Sequence, residues 1–153
     1  MVFYQTDQQP SIYSALRKTV DRYQSSSIAY SAEVGRLCLE KKEMISRTLT
    51  DLRTQYNVIL PNVKTVMDYL WDFPELRPII TSLVQFAKET MGDNSQILLE
   101  IWEEPHDRHL DLVVRKPSYE NILEELHPLI RRSEELLKGK SGWIHVTTDL
   151  ESV

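Results

Sequence analysis

After Asp93-Asn94 the hydrophobic period of this chain changes from about 3.6 residues to 2, and that change limits the folds open to it. Before the change, Leu76, Ile79, Ile80, Leu83, Val84 and Ala87 recur on one face of a helix that Gly92 can close with positive φ. After it, Ile97, Leu99 and Ile101 alternate with Leu98, Glu100 and Trp102, which is a strand. Pro105 to Arg108 supply a turn, and Leu110, Leu112 and Val114 alternate with Asp111, Val113 and Arg115 on the return, so a hairpin is predicted. Ser118 suits the cap of a helix bearing Ile122, Leu123, Leu126, Ile130 and Leu137, which Pro128 should bend by removing an N–H. Past Gly139 and Gly142, Ile144, Val146, Thr148 and Leu150 alternate with Trp143, His145, Thr147 and Asp149, a third strand. The expectation is an α+β fold with N-terminal helices and then helix-strand-strand-helix-strand, in which a small mixed three-stranded sheet carries helices on one face.

Upstream, Ile12 or Tyr13, Leu16, Val20 and Tyr23 step at helical spacing behind Pro10 and Ser11, until Ser25-Ser26-Ser27 interrupts the pattern. It resumes at Ile28, and from Val34 through Leu37, Ile45, Leu49, Leu52 and Tyr56 a second helical stripe follows. Two helices that either cover the chain's own core or hold a second copy would account for this. A further short helix carries Val63, Val66, Met67 and Leu70 and should end near Trp71, because Phe73 precedes Pro74. Residues 1–56 hold eight basic and six acidic side chains, and residues 57–153 hold ten and seventeen. With no linker rich in Gly or Pro between them, residues 1–56 read as a helical extension packing on the same domain as an α+β core at 57–153.

Of the 153 residues, 41% are apolar and 27% charged, enough to bury a core without metal or disulfide staples. No aliphatic run exceeds three residues, so no membrane span is expected. MVFYQTDQQP lacks the basic head and apolar middle of a signal peptide, and a cytoplasmic location is expected. A net charge of −5 argues against direct nucleic-acid binding through the phosphate backbone. Cys38 is the single cysteine, and between Leu37 and Leu39 it reads as a packing residue.

A candidate site emerges on the sheet face turned from the helices, where Glu100, Trp102, Asp111, Arg115, Trp143, His145, Thr147 and Asp149 should gather. Tryptophan and arginine are the usual anchors of interfaces. The competing expectation is that the N-terminal helices cover this face and bury both tryptophans. Arg115 should meet Glu100 or Asp149 there through its planar fork. His106-Asp107-Arg108-His109 followed by Asp111 lacks metal-ligand spacing and reads as a polar hairpin tip, so no metal and no cofactor are expected. With four glycines there is no phosphate-cradling loop and no G-x-S-x-G elbow.

The runs FPEL (73–76), LLEIWEEP (98–105), LDLVVRKPSY (110–119) and GKSGWIHVTTDL (139–150) resemble a family of short bacterial proteins common in cyanobacteria. Matching positions are Glu100, Arg115, Tyr119, Gly142, Thr147, Thr148 and Asp149, while Leu150 stands where the family has an aromatic. The resemblance covers about residues 60–150. Some members resemble products encoded beside PIN-domain ribonuclease toxins, which implies an antitoxin-like companion role and carries over no catalytic residue. The expected function is therefore a non-enzymatic interaction or regulatory protein, a homo-oligomer with a possible protein partner. The alternative is a small metal-dependent hydrolase or nuclease using Glu100, Asp111, Asp149 and His145.

Overall fold

The computed structural model describes residues 12–150, with backbone alone for 12–21 and 23–25. The proposed helix start at Pro10-Ser11 and the side chains of Leu16, Val20 and Tyr23 lie outside the described residues. The elements are α1 (Ile12–Tyr56), α2 (Val63–Asp72), α3 (Leu76–Met91), β1 (Gln96–Glu104), β2 (Asp107–Arg115), α4 (Ile122–Leu137) and β3 (Ile144–Thr147). Their order and the α+β class are those expected. No helix among the described residues is long and apolar enough to cross a membrane.

Ser25-Ser26-Ser27 does not break α1, which runs on for 45 residues in place of two helices. Serine is only a mildly poor helix former, and no proline accompanies the run to remove a hydrogen bond. The chain divides into two compact units, one ending at Glu40 and one beginning at Lys41. In the first, the described side chains from Ser26 to Glu40 are exposed, Cys38 among them, so the expectation that Cys38 packs is corrected. In the second, Ile45, Leu49 and Leu52 are buried in the core.

That core is built from one face of the sheet. Ile97 and Leu99 of β1, Leu110, Leu112 and Val114 of β2, and Ile144 and Val146 of β3 join Val66, Tyr69 and Leu70 of α2, the apolar face of α3, and Leu126, Leu129 and Leu137 of α4 in one buried cluster. The strands lie in the order β1-β2-β3, the first pair antiparallel and the second parallel. The outer edge of β1 is partly paired by Ile59, whose N–H donates to Ile97 O at 2.8 Å and whose carbonyl accepts from Leu99 N at 3.0 Å. Capping an edge this way removes backbone groups that would otherwise invite pairing with another chain.

Two turns differ from expectation. The hairpin turn is Pro105-His106 alone, and Asp107 and Arg108 already belong to β2, opposite Glu104 and Glu103. Ser118 does not cap α4; the helix begins at Ile122 behind Asn121, whose φ of 62° is left-handed, while Ser118 Oγ accepts from Glu120 N at 3.4 Å. Gly92 closes α3 at φ 81°, as its place after the last periodic residue implies.

Candidate functional site

The registers of the two strand pairs fix what shares the face turned from the core, which is open at its Trp102 and Trp143 end and buried at Leu98 and Val113. Across the sheet, Trp102 lies opposite His109, Glu100 opposite Asp111, Leu98 opposite Val113 and Gln96 opposite Arg115. On the other side of β2, Asp111 pairs with His145 and Val113 with Thr147. One further step in that parallel register sets Trp143 beside His109. A short β2 start makes this arrangement: because the turn uses only two residues, His109 is a strand residue with side-chain direction matching Asp111, and not part of a hairpin tip.

His109, Asp111 and His145 form the centre. Asp111 Oδ1 lies 2.9 Å from His145 Nδ1 and 3.2 Å from His109 Nε2, and the other nitrogen of His109 faces Asp107 Oδ1 at 3.2 Å. The two imidazole rings meet edge to face with centroids 5.6 Å apart. The His109 and Asp111 side chains are 14% and 11% exposed, whereas His145 is 54% exposed, so the cluster is rooted in the sheet and open to solvent on one side. Sequence reasoning chose Asp111 and His145 but set His109 aside as part of a polar hairpin tip; its place in β2, at i, i+2 spacing from Asp111, puts both on one face instead.

At the other end of the face Arg115 holds Asp149, with Nε donating to Oδ1 at 3.0 Å and to Oδ2 at 2.8 Å. Glu100 shares the face but sits across from Asp111, so of the two expected carboxylates Asp149 is the one the fork grips. Their side chains are 20% and 33% exposed, a half-desolvated pair. Arg115→Ala is therefore expected to lower unfolding free energy by about 1 kcal/mol, above the median of a fully exposed pair and well below that of a buried one. Urea unfolding measures it, and a loss under about 0.3 kcal/mol would show that water replaces the pair at no cost.

Thr147 stands at the end of β3 with its hydroxyl directed to Thr148 O at 3.5 Å. Trp102 and Trp143 are both exposed, so neither is the core residue that helices over this face would have made it. Trp143 is anchored through its backbone: its N–H donates to the Tyr69 hydroxyl at 2.9 Å, and its carbonyl accepts from that hydroxyl at 3.0 Å and from Leu110 N at 3.1 Å. Burial pushes the Tyr69 phenol above its ordinary range, against the smaller opposing pull of its bond to Trp143 and of Arg108.

Fold and site together define an α+β protein with a mixed sheet, helices on one side and a polar, aromatic face on the other. No family model, curated protein or solved structure matches this chain.

Proposed function

We propose that this chain is a non-enzymatic interaction or regulatory protein that self-associates and uses the open sheet face for recognition. The observation that carries the reading is the exposure of Trp102 and Trp143, at 50% and 51%, on one polar-centred face. Large exposed aromatics around a polar centre are the usual composition of a binding surface. Tyr30, Val34 and Leu37, spaced i, i+4 and i+7 on one face of α1, are exposed as well, which gives a second apolar surface suited to another copy of the chain.

The hydrolase reading has less support. Of its four residues, Asp149 is neutralised by Arg115 at the other end of the face from Asp111 and His145. The finer proposal, an antitoxin-like companion of a nuclease, rests on the resemblance of residues 60–150.

Sedimentation velocity tests self-association. At about 50 µM, enough to populate a complex with micromolar Kd, a species of at least twice 17.9 kDa is expected, with mass falling on dilution. A 17.9 kDa species alone at that concentration rejects it. The double variant Trp102→Ala/Trp143→Ala separates the two surfaces: loss of association assigns it to the sheet face, and retention assigns it to α1.

A further inference from the structure

We infer that His109, Asp111 and His145 form a binding site for a first-row divalent metal ion, with zinc the ion best matched to the donors. This goes beyond the recognition role and does not rest on it.

A neutral imidazole carries one N–H, yet His109 presents a ring nitrogen to a carboxylate oxygen on each side, Asp107 Oδ1 and Asp111 Oδ1, both at 3.2 Å. If Nδ1–H donates to Asp107, the Nε2 lone pair faces the lone pairs of the Asp111 oxygen. A cation at that point satisfies both. A metal-ligating histidine commonly donates its other N–H to a carboxylate, which fixes the tautomer and the ring, and Asp107 stands where that partner would be.

Distances agree with this. Two donors each about 2.0–2.1 Å from one ion, at near-tetrahedral or octahedral angles, lie about 2.9–3.4 Å apart. Asp111 Oδ1 stands 2.9 and 3.2 Å from the two histidine nitrogens, and all three ligand atoms lie within 4.8 Å of one another. Rotation of the more exposed His145 ring closes the remaining gap. Two imidazoles and one carboxylate are the donor set of open transition-metal sites, which keep a position for water or an incoming ligand. That position faces solvent on the side where His145 is exposed. Glu100, opposite Asp111, adds negative charge, while the cation on this face, Arg115, is committed to Asp149 at the far end.

Strand geometry supplies the rigidity. His109 and Asp111 are i and i+2 on β2, and His145 is the registered partner of Asp111 on β3, so all three donors stand on hydrogen-bonded backbone and none on a loop.

Calorimetric titration of the chelator-stripped full chain with ZnCl2, backed by the visible absorption of Co2+ as a ligand-field signature, is the test. One equivalent is expected to bind with Kd at or below about 10 µM. His145→Gln, at an exposed position that leaves the fold intact by circular dichroism, should weaken binding at least about tenfold, and Asp107→Asn about 10- to 100-fold through its hold on His109. His106→Gln, in the turn, should leave binding unchanged. Absence of saturable binding below about 100 µM, or equal affinity in wild type, His145→Gln and Asp111→Asn, overturns the assignment. Failure of self-association leaves this titration untouched, so the two readings fail separately.

Discussion

Tyr69→Phe is expected to lower unfolding free energy by about 2 kcal/mol, although it removes one oxygen atom from a side chain that sits in the core. The hydroxyl both accepts from Trp143 N at 2.9 Å and donates to Trp143 O at 3.0 Å. Phenylalanine keeps the packing, but the Trp143 N–H then loses its protein partner while the carbonyl keeps Leu110. Since this clamp joins α2 to the start of β3, its loss should also loosen His145. The phenol adds an alkaline signature. Its folded pKa is raised, so its contribution is fully present below the unfolded value of about 10 and is lost as pH rises through the folded value. Urea unfolding of wild type at rising alkaline pH should show that loss, and Tyr69→Phe should lack it. An unchanged midpoint at neutral pH would mean that the hydroxyl contributes nothing net.

Much of the fold was legible because burial on one sheet face writes a period of 2 into β1, β2 and β3, and one-sided burial writes 3.6 into α3 and α4. The continuity of α1 was not legible: weak propensities at Ser25 to Ser27 looked like a boundary, yet no helix-breaking residue enforced one. The length of the hairpin turn was equally hidden, since Asp107 and Arg108 are as polar as turn residues while lying within the ladder.

That turn decided the site. With a four-residue tip His109 belongs to a loop; with Pro105-His106 as the whole turn it enters β2 and points with Asp111. The open face and its members Glu100, Trp102, Asp111, Arg115, Trp143, His145 and Thr147 followed from alternation alone. The partner of Asp111 did not, because which strand lies beside β2, and in which register, depends on the crossover through α4 and on packing that no local pattern encodes.

Gly142→Ala is expected to have the largest effect of the single substitutions, about 3 kcal/mol of destabilisation, for a reason unrelated to backbone freedom. A Cβ there would stand 2.5 Å from Leu76 Cδ1 and 2.8 Å from both Cβ and Cγ of Phe73. Leu76 is fully buried and has little room to turn away, and Phe73 Cβ moves only with its backbone. The segment between α4 and β3 must shift instead, and that segment carries Trp143 and leads directly into β3, which holds His145. Ser141 N also donates to Glu75 Oε1 at 3.3 Å, a bond the shift would strain; Glu75's own backbone N–H first, and then those of Ser141 and Gly142, hold its carboxyl below the usual range. Gly139 is the contrasting case, with φ 72° and open space around its Cβ position. Gly139→Asn should therefore cost only a few tenths of a kcal/mol, since asparagine tolerates the left-handed region. A fall in urea midpoint for Gly142→Ala with unchanged m-value, accompanied by weaker zinc binding, is the expected pattern. A loss below about 0.5 kcal/mol would show that Gly142 does not press on Phe73 and Leu76, and would detach the start of β3 from the packing that aims His145.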